Sequence, residues 1–211
     1  MERAIQTVFF RKFLLNNLNS KPQQLVIFAS GSGSNAMNVI AFFANNPGVQ
    51  VAAVFCNNPK AGIIEKIKST QVPLVLFNKA QFENPDLFLP LIQTYQPTLI
   101  ALLGFLWKVP AYLIQAYPQQ MLNLHPALLP KFGGKGMYGH HVHEAVKLAG
   151  ETETGISLHY VNEHYDEGKL IAQFKTPLSD TDTPDGIAEK IHHLEQIHVP
   201  VVIETILLNL S

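Results

Sequence analysis

The chain has 211 residues, of which 47% are apolar and 15% charged, and its formal net charge is -1. This composition indicates a globular protein with a buried core and excludes a disordered chain. A nucleic-acid-binding protein would carry a basic excess, and a membrane-spanning helix would need a run of roughly 20 apolar residues; neither is present. The single cysteine, Cys56, lies in an apolar run, so we expect it to be buried and the protein to work in a reducing, cytoplasmic compartment.

We interpret residues 1–24 as an N-terminal extension ahead of a single domain over residues 25–211. Arg11 and Lys12 interrupt the apolar character of the extension and no signal-peptide cleavage site is obvious. In the first half of the domain, apolar runs alternate with amphipathic runs. They predict strands at 24–30, 49–56, 72–77, 98–103 and 121–124, and helices at 35–46, 61–69, 86–95 and 110–117.

The second half of the domain has a different pattern. A glycine-rich segment, residues 133–139, leads to a helix that begins near His141, and strands are predicted at 155–162 and 169–177. Thr183 or Asp185 starts a last helix that runs past Pro200. Because strands and helices alternate at short spacing, we predict an α/β fold with a doubly wound, mostly parallel sheet and helices on both faces.

A glycine loop, residues 31–35 (GSGSN), joins the first predicted strand to the first helix, for which Ser34 or Asn35 is the expected cap. Glycines allow an anion to approach the backbone closely, and the free N–H groups of a helix start favour a phosphate. With Ala36 the loop also fits the dinucleotide fingerprint, but the ribose-binding acid is missing because no Asp or Glu occurs before Glu65. The loop therefore indicates either a monophosphate site or a simple tight turn.

Asn123 and His125 are two residues apart at the end of the fifth predicted strand, so their side chains point to the same face. Ligands of open α/β sheets bind outside the carboxyl ends of strands. An amide and an imidazole that converge there suit acyl transfer, since both can donate to the oxyanion of a tetrahedral intermediate. A single histidine is more often structural than catalytic, and only the neighbouring polar residues favour a catalytic role for His125.

Two longer motifs carry a family resemblance. Residues 123–132 (NLHPALLPKF) and 161–168 (VNEHYDEG) resemble two signatures of the folate-dependent formyltransferase superfamily, and the resemblance extends from about residue 25 to the C-terminus. The loop at 31–35 is similar to that of the members that act on glycinamide ribonucleotide. The resemblance implies transfer of a formyl group from the co-substrate 10-formyltetrahydrofolate to the amine of glycinamide ribonucleotide, in de novo purine biosynthesis and without a metal ion.

The resemblance also implies roles for individual residues. The residues that match the catalytic trio are Asn123, His125 and Asp166. The residues that match ribonucleotide contacts are Gly33, Ser34, Asn35, Glu195 and His192. The residues that match folate contacts are Leu106, Trp107, Lys108, Val109 and Asn123. We expect Asn123 and a protonated His125 to stabilise the oxyanion, and Asp166 to raise the pKa of His125 and to relay the amine proton.

The sequence departs from the family pattern at three places. Residues 133–139 form a longer connection than the family's usual one. Lys108 stands where an arginine is common, and an arginine expected around residues 81–86 is absent. The longer connection affects the loop near the substrate amine, and the two arginine differences affect part of the folate contact.

Other readings of the sequence remain open. The histidines at 140, 141 and 143 would suit a metal-dependent hydrolase, although their spacing does not place them on one helix face. A nucleotide-binding module would use the glycine loop but leave Asn123, His125 and Asp166 without a role. Methionyl-tRNA formyltransferase and formyltetrahydrofolate deformylase normally carry an extra domain, and we expect this chain to be too short to include one. Both a monomer and a homodimer are compatible with the sequence.

Overall fold

The computed structural model describes residues 21–210, so the first 20 residues of the predicted extension lie outside the described part. Seven strands are found in residues 21–210: β1 (Gln23–Ala29), β2 (Val49–Cys56), β3 (Leu74–Leu76), β4 (Leu99–Leu102), β5 (Met121–His125), β6 (Glu153–Tyr160) and β7 (Leu170–Pro177). The helices of the same part are α1 (Ser34–Phe43), α2 (Ile63–Ile67), α3 (Lys79–Glu83), α4 (Pro85–Gln93), α5 (Ala111–Ala116), α6 (His140–Leu148) and α7 (Pro184–Asn209).

The strands form one sheet in the order β3-β2-β1-β4-β5-β6-β7. Strands β1 to β5 are parallel, whereas β6 is antiparallel to both β5 and β7. The predicted doubly wound, mostly parallel α/β fold is therefore confirmed. The strand order reverses between β1 and β4, which is where such sheets open a crevice for ligands at their carboxyl ends.

Helices cover both faces of the sheet. Helices α1, α2, α6 and α7 bury one face, which we call the α7 face, around Ala36, Ile63 and Ile191. Helices α3, α4 and α5 bury the other face, which we call the aromatic face, around Phe28, Phe82 and Leu113.

Aromatic rings dominate the aromatic face. A cluster of seven, with neighbouring centroids such as those of Phe82 and Phe88 4.9 Å apart, consists of Phe28, Phe55, Phe77, Phe82, Phe88, Phe105 and Trp107. Burying one phenylalanine side chain contributes roughly 1.5–3 kcal/mol to folding, so this cluster is a large part of the core.

Several local predictions need correction. Helix α1 has no side-chain cap, because its N-cap is Gly33 in a left-handed conformation (φ 72°), so neither Ser34 nor Asn35 has the expected role. Helix α3 was not predicted, although Asn78 and Gln81 form a capping box at its start. Strand β5 continues one residue further than predicted and includes His125.

Two general expectations can be compared with the described residues. Cys56 is fully buried, as predicted, and burial raises the pKa of its thiol. None of the helices in residues 21–210 is long and apolar enough to span a membrane.

Candidate active site

A cavity of about 690 Å³ opens at the carboxyl ends of β1, β4 and β5. It brings together most of the residues that the sequence assigned to a site, namely Gly33, Ser34, Asn35, Leu106, Trp107, Lys108, Val109, Asn123, His125, Asp166 and Glu195. His192 does not line the cavity. It lies one helical turn before Glu195, with Nδ1 3.6 Å from the carboxylate and half of its side chain exposed.

Asp166 is the centre of the predicted trio. Its Oδ1 accepts a hydrogen bond from Asn123 Nδ2 at 3.3 Å, and its Oδ2 lies 3.5 Å from His125 Nδ1. The Gly134 N–H donates to Oδ2 at 2.9 Å and so connects the glycine-rich segment to the same carboxylate. Asn123 and His125 therefore share one face of β5, as predicted, and both face Asp166.

His125 differs from the expectation in its charge. Burial lowers the pKa of His125, and this outweighs the upward effects of Asp166 and of the hydrogen bond to Phe132. The expected protonated imidazole is therefore wrong at neutral pH, since desolvation disfavours the charged form. Nε2 lies 2.7 Å from the carbonyl oxygen of Phe132, which can only accept, so Nε2 carries the proton of the neutral ring.

Asp166 is the charged member of the trio. Burial alone would raise its pKa, but the interactions with His159 (Nε2 3.5 Å from Oδ1) and His125, together with the N–H of Gly134, hold the pKa of Asp166 below its usual value. The carboxylate is thus ionised at neutral pH and able to accept a proton from a neighbouring group.

His159 belongs to this network, and the sequence reasoning missed it. It lies on β6 directly opposite Asn123 in the strand register. Its Nδ1 donates to the carbonyl of Tyr160 at 3.0 Å, so its Nε2 carries the lone pair and accepts from Asn123 Nδ2 at 3.1 Å. The only sequence signal for His159 was its position in a predicted strand, seven residues before Asp166. Its contact with Asn123 depends on the pairing of two strands, which the local sequence does not show.

The orientation of the Asn123 amide follows from these two contacts. Its Nδ2 donates to Asp166 and to His159, which leaves the carbonyl Oδ1 as the polar atom without a partner among the described residues. For Asn123 to donate to an oxyanion, as expected from the sequence, one of these N–H groups has to exchange its protein partner for the ligand.

The glycine loop forms one wall of the cavity. A Cβ atom at Gly33 would lie 2.5 Å from Cδ1 of Ile63, and the positive φ of 72° further disfavours any other residue. Gly33 is therefore required for packing, whatever the loop binds. The first N–H groups of α1 have no side-chain cap, and Ser34 and Asn35, which begin the helix, line the cavity.

Glu195 connects the long helix to the glycine loop. Its Oε2 accepts a hydrogen bond from Asn35 Nδ2 at 2.9 Å. Burial raises the pKa of Glu195, although the contacts with Asn35 and His192 act in the opposite direction. The carboxylate and the amide together offer polar groups to the cavity next to the loop.

The segment predicted to contact folate lies on the opposite wall. Its start is positioned by a hydrogen bond from the Leu106 N–H to Ser30 Oγ at 3.1 Å. Trp107 packs at the edge of the aromatic cluster, and Val109 is buried. The ammonium of Lys108 lies 5.5 Å from the centroid of the Tyr165 ring. Apolar side chains on this wall suit an aromatic ligand.

The three histidines that suggested a metal site have other neighbours. His140 and His141 both lie 3.5 Å from carboxylate oxygens of Glu144, on an exposed part of α6. His143 is buried against the cavity. Within residues 21–210, no group of three or more His, Cys, Asp or Glu side chains is arranged to hold a metal ion.

Comparison with known proteins gives consistent results. The family described as formyl transferase matches residues 23–203. The chain is 35% identical over 187 residues to a chloroplastic phosphoribosylglycinamide formyltransferase of Arabidopsis thaliana, a match that covers 85% of this chain and 64% of that protein. This chain therefore spans less than two thirds of the length of that relative.

Two further relatives are matched over nearly their full length. The phosphoribosylglycinamide formyltransferase of Bacillus subtilis is 33% identical over 190 residues, which cover 88% of this chain and 95% of that protein. The crystal structure of glycinamide ribonucleotide transformylase 1 from Geobacillus kaustophilus has a TM-score of 0.79 at 31% identity, and the match covers 88% of this chain and 99% of that one.

Proposed function

Because the chain belongs to the formyl transferase family, we propose that it transfers a formyl group from 10-formyltetrahydrofolate to the amine of glycinamide ribonucleotide, a step of de novo purine biosynthesis. The observation that carries this proposal is the convergence of Asn123, His125 and Asp166 in the cavity that the glycine loop also lines. The relatives named above support the choice of substrates. We further propose that the reaction takes place in the cytoplasm and without a metal ion.

The cavity has two walls of different chemistry, which suits two different substrates. The loop at 31–35, with Asn35 and Glu195, would hold the phosphate and ribose of the ribonucleotide. Leu106, Trp107 and Val109 would hold the ring system of the folate, with Lys108 near its carboxylates. Holding both substrates together contributes much of the rate enhancement, because the reaction becomes effectively unimolecular.

The chemical step follows from the trio. The amine nitrogen of the ribonucleotide attacks the formyl carbon, and the formyl oxygen becomes an oxyanion that accepts hydrogen bonds from His125 and Asn123. Each of these N–H donors first has to exchange its protein partner for the ligand. Asp166, being ionised, takes one proton from the attacking amine. The bond from the formyl carbon to the folate nitrogen then breaks, and that nitrogen receives the proton. The products are formylglycinamide ribonucleotide and tetrahydrofolate.

A direct assay tests this function. Purified protein is mixed with 10-formyltetrahydrofolate and glycinamide ribonucleotide, and the loss of the formyl group from the folate is followed. We expect turnover that depends on the ribonucleotide. Equal loss of the formyl group without any acceptor would instead assign the protein as a deformylase, and transfer only to methionyl-tRNA would assign it to that branch of the superfamily.

Replacing His159 tests its proposed role in positioning Asn123. His159→Phe removes the acceptor for one Asn123 N–H, and since one hydrogen bond is worth about 0.5–1.5 kcal/mol, kcat should fall about three- to tenfold while both KM values change little. His159→Gln keeps an acceptor oxygen and should recover part of kcat. Lowered melting temperatures without any change in kcat would show that His159 serves only the fold.

The proposed phosphate site can be tested at Ser34, the first residue of α1. Ser34→Asp adds a negative charge where a helix tolerates it, but it would repel a phosphate. Two like charges about 4 Å apart repel by about 1–4 kcal/mol, so KM for glycinamide ribonucleotide should rise at least about fivefold, with KM for the folate nearly unchanged.

Asn45→Asp provides the matched control for Ser34→Asp, because it adds the same charge on an exposed residue beyond the other end of α1. Both KM values should then stay near those of the parent protein. An equal increase of both KM values in Ser34→Asp would contradict a phosphate site at the loop. Gly33 is unsuitable for this test, because any side chain there would meet Ile63.

A further inference from the structure

The cationic groups of the cavity are few. Both proposed substrates are anions, since one carries a phosphate and the other carboxylates. The two arginines of the chain are Arg3 and Arg11, so residues 21–210 contain none. Of the lysines in that part, two line the cavity: Lys108 and Lys135. Within residues 21–210, any lysine or arginine charge that meets a substrate in this cavity therefore comes from these two side chains.

The two lysines belong to different walls. Lys108 follows Trp107, which packs against the aromatic face, and lies beside Tyr165. Lys135 lies between Phe132 and Met137, which both pack against the core of the α7 face. That face carries α1 and α7, the helices whose Asn35 and Glu195 are joined at 2.9 Å. Lys135 is thus on the same side as the glycine loop.

Lys135 also differs from neighbouring lysines in its contacts. Lys131, four residues earlier, is paired with Glu151 at 2.8 Å. Lys135 is exposed and has no carboxylate partner among the described residues. Gly134 and Gly136 on either side of it have φ values of 99° and 91°, a backbone conformation that favours glycine, and open space where a Cβ would be.

The charge of the phosphate explains why a lysine is needed. A phosphate monoester carries about -1.5 to -2 charges at neutral pH. The start of a helix such as α1 offers the equivalent of only about +0.5. The glycine loop itself, residues 31–35, has no charged side chain. Most of the phosphate charge would therefore be unbalanced unless another group of the cavity contributes a cation.

We propose that Lys135 is the cation that binds the phosphate of the ribonucleotide and thereby determines the preference for a phosphorylated acceptor. This proposal rests on the proposed function and names a residue in the segment where the sequence departs from its family. The N–H of Gly134 is held by Asp166 at 2.9 Å, so the backbone that carries Lys135 is anchored beside the trio. Phosphate binding by Lys135 would therefore also order the segment next to the reacting amine.

Crossed substitutions test the proposal. Lys135→Gln should raise KM for glycinamide ribonucleotide about tenfold or more, the effect of losing about 1.4 kcal/mol of binding, and should leave KM for the folate within about twofold. Lys108→Gln should show the reverse pattern. Lys135→Arg should restore most of the affinity, because a cation is retained. Lys131→Gln, whose side chain does not line the cavity, should change neither KM.

A binding measurement separates this proposal from the proposed function. Calorimetric titration with ribose 5-phosphate requires no turnover, and Lys135→Gln should weaken its binding about tenfold, with less dependence on salt than in the parent protein. If the parent protein binds ribose 5-phosphate through Lys135 but does not formylate the ribonucleotide, the proposed function fails and the role of Lys135 stands. Unchanged affinity in Lys135→Gln, or a loss confined to the folate, overturns the role of Lys135.

Discussion

Replacing His125 with alanine is expected to lower kcat by about 10² or more, because the substitution removes a donor to the oxyanion that forms in the reaction. The ring lies on β5 beside Asn123, with Nδ1 3.5 Å from Asp166. The neutral imidazole carries one N–H donor, and to reach the oxyanion this group has to exchange the carbonyl of Phe132 for the ligand. Steady-state turnover with both substrates measures the effect.

The control for His125→Ala concerns the fold. The ring is almost fully buried and donates to the carbonyl of Phe132, so its removal leaves that oxygen without a donor at a cost of about 1–3 kcal/mol. A melting curve gives the loss of stability, and titration of each substrate gives the affinities. We expect a folded variant that still binds both substrates. Near-normal turnover in this variant would exclude His125 from the chemical step.

The second large effect is expected for Asp166→Asn. A proton-accepting carboxylate typically contributes 10²–10⁴ to the rate, so kcat should fall by about that factor. The amide oxygen of asparagine can still accept from the N–H of Gly134, which preserves the anchor of the glycine-rich segment. The variant removes the charge, and its amide nitrogen also replaces the oxygen that accepts from Asn123 Nδ2. An isosteric asparagine with full activity would contradict the proton-relay role.

Asp166→Asn is also expected to lower the pKa of His125. In the parent protein the Asp166 charge raises the pKa of His125, while burial lowers it by more. Asp166→Asn removes the upward contribution only, so the pKa of His125 should fall further below its ordinary value. NMR titration of the His125 ring in both proteins measures the change. An unchanged pKa would show that the two groups are not electrostatically coupled.

The fold could be predicted from local patterns because the central parallel strands β1, β2 and β4 are mostly buried on both faces. The apolar run at Val49–Cys56 was predicted with its observed bounds for this reason. Shorter elements were less accurate. Helix α2 has five residues instead of the nine predicted, and α3 has five residues and was not recognised, although its Asn78 capping box was readable. Over one turn, a helical period cannot be distinguished from a loop.

The candidate site was predictable where it depends on neighbours in sequence. Asn123 and His125 share a face because a strand has a period of two, and the structure agrees. The contact between Asn123 and His159 depends on the antiparallel pairing of β5 with β6, which no local pattern contains. The lowered pKa of His125 likewise depends on how deeply the folded chain covers the ring. Long-range burial and pairing thus account for what the sequence analysis missed.

Trp107 is the only tryptophan of the chain, so the intrinsic indole fluorescence of this protein comes from one wall of the cavity. Its ring lies 5.9 Å from those of Phe77 and Phe82, with the ammonium of Lys79 5.0 Å from its centroid. A ligand that stacks near this wall changes the surroundings of the Trp107 indole, whereas a ligand confined to the glycine loop does not contact the indole. Occupancy of the two halves of the cavity is therefore optically distinguishable without a label.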